Sequence, residues 1–126
     1  MENNVFLLYG KRTFTLDEAR ALVPLIRRLT EAASDRADQI INQINVLSGR
    51  DSLRVEELEA EIDGIIEGWR VKIEKLGAIP KGLWIVDFDS GDGFFCWKYP
   101  EPDILYRHGY QDGFSKRVAL QDELFQ

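Results

Sequence analysis

The sequence predicts an α+β fold: a long antiparallel helical hairpin, similar to a coiled coil, followed by a small three-stranded antiparallel β-meander. Apolar residues recur at spacings of three and four through residues 15–48 and again through 52–77, which is the period of an amphipathic helix. After Pro80 the pattern changes to short, aromatic-rich segments separated by turn residues, which is typical of strands. The 126 residues match one domain at roughly 100–200 residues per domain, so we expect a single domain over 1–126.

The first helix is predicted over residues 15–48. Thr15 is a good N-cap, and Glu18, three residues later, completes the capping-box pattern. Gly49 suits the end of the helix, because glycine readily adopts the left-handed conformation that follows a C-cap. The apolar stripe consists of Leu22, Leu25, Ile26, Leu29, Ala33, Ala37, Ile40, Ile44 and Leu47.

The second helix is predicted over residues 52–77, between a cap at Asp51 or Ser52 and the closing Gly77. A connection this short makes the two helices antiparallel neighbours. Gly64 and Gly68 lie inside this helix, where each costs about 1 kcal/mol relative to alanine. We expect them to allow a close approach of the two helices, and a hinge is the alternative.

The β-meander is predicted over residues 83–108, and residues 109–126 are expected to form a C-terminal tail. The three strands are residues 83–88, 94–99 and 104–108, and the turn between the first two is rich in Asp and Gly. Neither face of the hairpin is wholly polar. We therefore expect helices on one face and another part of the chain partly covering the other. Residues 5–9 are a further candidate strand.

Composition excludes several classes of protein. The formal charge of −6 gives neither half of the chain the basic surface of a nucleic-acid binder. No run approaches 18 apolar residues, so no membrane span is expected. The N-terminus lacks the positive region of a signal peptide, so we expect a cytoplasmic protein in which Cys96 is reduced. The single Cys excludes an internal disulfide, and one Cys with one His excludes the common Cys/His zinc sites, so no metal and no cofactor are expected.

His108 is the single imidazole and the first candidate for chemistry. A metal at His108 would need carboxylate partners, and the candidates are Asp87, Glu101, Asp103 and Asp112. Cys96 and His108 could instead form a nucleophile–base pair. Cys96, however, lies in the middle of an aromatic strand, where a thiol usually packs as a small apolar group. We therefore expect His108 to have a structural role.

The chain also resembles a known family. Residues 14–29 read Phe-Thr-Leu-Asp-Glu-Ala-Arg-Ala-Leu-Val-Pro-Leu-Ile-Arg-Arg-Leu, which is similar to the opening of the prokaryotic proteins grouped as domain of unknown function 2203. Further matches follow in the family's order: Val86-Asp87-Phe88, Cys96-Trp97, Glu101, His108, Gly113-Phe114 and Arg117. The family commonly has Gly where this chain has Trp84, and Trp-His-Glu where it has Arg107-His108-Gly109. The resemblance implies a helical hairpin with a small C-terminal sheet in a cytosolic protein, and it implies no activity.

Two hypotheses for function follow. The first is a non-enzymatic module for protein interaction or assembly, which acts through the helical hairpin. The second is a protein that binds a small molecule or a metal, with an enzyme as one form of it. Its site would lie where the meander meets the helices. In that site Asp87 and Glu101 serve as ligands or bases, His108 as a ligand or acid/base, and Arg117 as an anion clamp. The hypotheses differ in whether these four side chains converge on one pocket.

Self-association through the helices, as a dimer, is also expected; the alternative is that aromatic residues of the lead-in, such as Phe6 and Tyr9, fold back and cover the apolar surface. The apolar stripe of the first helix is broad, and its far part should extend beyond a short sheet. Apolar surface left open in this way usually marks an interface, and twofold dimers are the commonest way to close one. The candidate interface residues are Val23, Ile40, Ile41 and Ile44. No nucleic-acid or membrane partner is expected, and the sequence names no protein partner.

Overall fold

The computed structural model describes residues 12–120, so the candidate strand at residues 5–9 lies outside the described residues. Two long helices come first, α1 (Leu16–Leu47) and α2 (Ser52–Lys75). A five-stranded antiparallel sheet follows, in the order β1-β2-β3-β4-β5. Its strands are β1 (Ile79–Gly82), β2 (Ile85–Asp89), β3 (Phe94–Lys98), β4 (Tyr106–His108) and β5 (Val118–Ala119), with a short 3₁₀ helix at Phe114–Lys116 before the last. The α+β prediction is confirmed.

Helix α1 begins as the sequence predicts. The Thr15 hydroxyl accepts a hydrogen bond from the Glu18 amide at 3.1 Å, and the Glu18 carboxylate accepts one from the Thr15 amide at 2.8 Å. The Thr15 amide bond is the main reason that the pKa of Glu18 lies below its usual value of 4.5. The helix ends at Leu47, and the left-handed backbone of the C-cap residue Ser48 leads into Gly49.

The two helices pack against each other along the hairpin, as expected from their short connection. A buried hydrogen bond joins them, from the Trp69 indole N–H to the Thr30 hydroxyl at 2.8 Å. Thr30 donates in turn to the Ile26 carbonyl at 2.7 Å. No helix within residues 12–120 has the length and apolarity that crossing a membrane would require.

Within residues 12–120 the sheet has five strands, so the predicted number of three was wrong. β1 was missed because it contains Pro80, which also ends the helical region. Proline is tolerated here because β1 is an edge strand. β2 starts at Ile85 rather than at residue 83, because Trp84 has a φ of 64°, a left-handed conformation that interrupts the strand. β5 lies in the segment that we expected to be a tail.

The two faces of the sheet have different surroundings. Val86, Phe88 and Trp97 are fully buried in the core formed with the helices, together with Ile26 and Ile73. Because side chains alternate across a strand, Asp87 and Cys96 lie on the opposite face. The candidate site is on that second face, away from the helices, and so not at the junction of sheet and helices that the sequence suggested.

Candidate functional site

Strand pairing brings three potential metal-binding side chains onto one face of the sheet. Asp87 on β2 is paired with Cys96 on β3, and Cys96 is paired with Tyr106 on β4. His108, two residues beyond Tyr106, shares that face. One donor atom from each of Asp87, Cys96 and His108 lies within 4.8 Å of the other two, and all three residues are buried.

Hydrogen bonds on both ring nitrogens fix the His108 imidazole. Nδ1 lies 3.0 Å from the Gly109 carbonyl oxygen, which can only accept, so Nδ1 carries a proton. Nε2 lies 3.2 and 3.1 Å from the two carboxylate oxygens of Asp87. Nε2 and the Asp87 carboxylate therefore form a buried hydrogen-bonded pair. This arrangement directs Nε2 into the cluster.

The Cys96 thiol is fully buried between groups of opposite charge. Its pKa is raised from 9.0 to about 12, first by burial and then by the neighbouring Asp87 carboxylate. The nearby Arg117 guanidinium acts in the opposite direction and lowers the pKa. In the absence of a metal, Cys96 is therefore a neutral thiol near pH 7.

A pocket of about 300 Å³ opens beside this cluster. Asp87 and His108 form part of its wall, and the remaining lining includes Lys81, Tyr110 and Phe114. The Tyr110 hydroxyl donates a hydrogen bond of 2.6 Å to Asp89, which raises the pKa of Tyr110. The cluster is therefore buried but adjoins a cavity large enough for a small molecule.

Glu101 and Arg117 form a separate pair. Arg117 Nη1 donates to both carboxylate oxygens of Glu101, at 3.1 and 3.0 Å. The guanidinium also lies against the rings of Tyr106 and Phe114, at 4.1 and 4.0 Å from their centroids. Arg117 thus contacts the Cys96 side of the cluster, while its charge is already matched by Glu101.

The comparison with protein families agrees with the motifs in the sequence. The model of the family described as uncharacterized conserved protein DUF2203 matches residues 12–120. The chain belongs to this family. No curated protein and no solved structure matches it. The resemblance noted in the sequence is thereby confirmed, and for this DUF2203 chain the family supplies no activity.

The four site residues predicted in this DUF2203 chain form two pairs. Asp87 and His108 meet at the pocket, whereas Glu101 and Arg117 pair with each other and are not among the residues that line it.

Asp103 and Asp112 are the two other carboxylates that the sequence offers as partners of His108. Asp103 lies 3.7 Å from Arg20 and is not part of the cluster. Asp112 lines the pocket.

Cys96 is the residue that sequence reasoning missed as a possible ligand. Its position in an aromatic run predicts that the thiol packs as a small apolar group, and Cys96 is indeed fully buried. The missing step was the strand register. Pairing the strands on either side of the turn at residues 90–93 places Asp87 opposite Cys96.

The candidate interface residues differ in exposure. Val23 and Ile40 are 3% and 6% exposed and contribute to the chain's own core. Ile44 is half-buried, and Ile41 is 43% exposed. A dimer through this part of α1 stays a prediction, with Ile41 and Ile44 as the residues available for it.

Proposed function

We propose that this protein binds one divalent transition-metal ion of the zinc class through Asp87, Cys96 and His108. The observation that carries the proposal is the convergence of three different donor atoms within 4.8 Å on one buried face of the sheet. The proposal differs from the site predicted from the sequence in two ways. Cys96 is added as a ligand, and Glu101 and Arg117 position the ligands without binding the metal.

The donor chemistry favours zinc over hard cations. Zinc is bound by thiolate, imidazole and carboxylate groups, whereas Mg²⁺ and Ca²⁺ take oxygen ligands. The two anionic ligands, Asp87 and Cys96, balance the charge of a dication, which reduces the penalty for burying it. The ion takes the place of the thiol proton and of the hydrogen bond between Asp87 and His108.

Outer groups already orient the ligands. The Gly109 carbonyl accepts from His108 Nδ1 and leaves Nε2 for the metal, an arrangement common among metal-binding histidines. Arg117 lies beside the Cys96 sulfur and is held by Glu101. In this proposal Glu101 and Arg117 are positioning residues.

The pocket gives the ion access to small molecules. Three protein ligands leave one position of a tetrahedral zinc ion for water or another ligand. Asp87 and His108 both line the pocket, so that position faces a cavity of about 300 Å³.

The experiment measures the zinc content of the purified protein. Metal-free protein is reconstituted with Zn²⁺, and the bound metal is quantified by mass spectrometry for wild type, Cys96→Ala and His108→Gln. Asp112→Asn is the matched control, because Asp112 is an exposed carboxylate of the same pocket outside the cluster. We expect about one equivalent in wild type and in Asp112→Asn, and at least a tenfold weaker affinity in the two ligand variants.

Two outcomes contradict the proposal. One is wild-type protein that shows no saturable Zn²⁺ binding tighter than about 10 μM. The other is retention of wild-type affinity by both ligand variants. If a variant does not fold, the affinity of the wild-type protein for Zn²⁺ still tests the proposal.

A second candidate function is protein interaction through the helical hairpin. It is favoured by apolar side chains exposed near the connection of the helices, Val46 at 73% and Leu53 at 74%, besides Ile41. We propose a homodimer in the cytoplasm, where a reducing environment also keeps Cys96 available as a ligand.

The molecular mass measured by light scattering at about 10 μM tests the dimer. Ile41→Glu is the comparison, because a charge in an exposed apolar patch should disrupt an interface formed there. We expect a dimeric mass that Ile41→Glu reduces. A mass near 14.5 kDa over the whole concentration series, unchanged by the substitution, contradicts the dimer.

A further inference from the structure

A groove of about 290 Å³ runs between the two helices, on a part of the hairpin distant in sequence from the sheet site. Its apolar lining comes from both helices: Leu25, Leu29, Ala33, Ile65 and Trp69. Trp69 is buried, whereas Leu29, Ala33 and Ile65 are only partly covered by the chain. The groove therefore offers apolar surface to a partner.

The charged residues that line the groove are all positive. Arg28 and Arg36 lie on α1 and Lys72 lies on α2, and all three are exposed. Within residues 12–120 none of them has an ion-pair partner, and no acidic residue lines the groove. This cationic rim stands out on a protein with a net charge of −6. Acidic residues of a partner would neutralise these three positive charges.

Gly64 and Gly68 shape one wall of the groove. They are exposed and lie one turn apart on α2, and an added Cβ at either position meets nothing within 4 Å in the described chain. Close packing of the two helices therefore does not account for them. Their lack of side chains leaves α2 open to an incoming backbone.

We propose that this groove binds an acidic amphipathic helix of a protein partner, an inference that rests on the second candidate function. An amphipathic helix placing its apolar face in an apolar groove is a common mode of recognition. Arg28 and Arg36 are eight residues apart, which spans about 12 Å of helix axis, or roughly two turns. Acidic residues beside the partner's apolar face would meet the cationic rim.

A second copy docked groove to groove is a poorer occupant. A twofold axis through the groove would bring Arg28, Arg36 and Lys72 of one copy against the same residues of the other. Like charges placed together in this way oppose association. The complementary charge therefore has to come from a different surface.

The probe is a labelled helical peptide of about three turns, with leucines on one face and glutamates on both sides of them. Its affinity is measured by fluorescence anisotropy. One control peptide has lysine in place of every glutamate, and another has serine in place of every leucine.

The protein variants are the double replacement Arg36→Glu with Lys72→Glu, and Gly68→Leu, which fills the groove. Leucine is a better helix former than glycine, so Gly68→Leu should fold at least as well as wild type. Arg27→Glu is the matched control, because Arg27 is an exposed arginine of α1 that does not line the groove.

We expect the acidic amphipathic peptide to bind, and both groove variants to weaken it at least tenfold, with Arg27→Glu within about twofold of wild type. Absence of saturation up to about 1 mM overturns the inference. So does equal binding of either control peptide, or an equal loss in Arg27→Glu. Self-association that Ile41→Glu abolishes, without peptide binding, would retain the second candidate function while refuting this groove as its site.

Discussion

The hydrogen bond between Trp69 and Thr30 should determine much of the stability of the helical hairpin. Thr30 is fully buried and Trp69 is 3% exposed, so neither polar group can turn to solvent. Thr30→Val keeps the shape of the side chain and removes the acceptor of the indole N–H, which lies 2.8 Å away. A buried donor left without a partner costs about 1–3 kcal/mol. We therefore expect Thr30→Val to lower the free energy of unfolding by that amount.

The assay is urea denaturation followed by circular dichroism, in a double-mutant cycle with Trp69→Phe. Phenylalanine has no N–H, so removing the Thr30 hydroxyl in that background leaves no orphaned donor. The cost of Thr30→Val should then fall below about 1 kcal/mol. A loss in the wild-type background below about 0.5 kcal/mol, or an equal loss in both backgrounds, would refute the reasoning.

Three further predictions concern the sheet and the first helix. Trp97→Ala should cost about 3–5 kcal/mol in chemical denaturation, because Trp97 is fully buried and donates to the Glu101 carbonyl at 2.8 Å; a loss below about 1 kcal/mol contradicts this. Glu18→Gln should destabilise the protein near pH 7 but not at pH values well below 4.5, because the lowered pKa of Glu18 gives a stabilisation that is lost as pH falls through the folded-state value; a difference independent of pH contradicts it. Cys96 in metal-free native protein should react with iodoacetamide far more slowly at pH 8 than in denaturant, because burial raises its pKa to about 12; equal rates contradict it.

The helices could be predicted from the sequence because their ends depend on local residues. The predicted bounds of 15–48 and 52–77 differ by at most two residues from Leu16–Leu47 and Ser52–Lys75. The capping box at Thr15 needs no information from the rest of the chain.

The sheet could be predicted only in part because strand pairing depends on distant residues. β1 has only four residues, and β5 has two, so neither shows a clear alternation. Trp84 gives no local sign of its positive φ. The resemblance offers one, since the family commonly has glycine at that position and glycine tolerates such a φ without strain. Here the Trp84 ring packs edge-on against Trp69 at 5.0 Å, a contact that offsets part of the strain.

The candidate site could also be predicted only in part, because it too depends on which strands pair. The sequence selected Asp87 and His108, which meet in the structure, and Glu101 and Arg117, which pair with each other. The addition of Cys96 required the register of β2 and β3. Whether a residue lines a pocket or only supports one depends on packing that no local pattern encodes.

Titration of the metal-free protein with Co²⁺ tests the proposed metal site most directly, because a cobalt–thiolate bond gives a charge-transfer absorption that reports ligation by Cys96 itself. The account predicts that this absorption appears and saturates at about one equivalent, that it persists in Asp112→Asn, and that it is lost in Cys96→Ala. Wild-type protein that takes up Co²⁺ without this absorption, or that takes up none, would contradict the account.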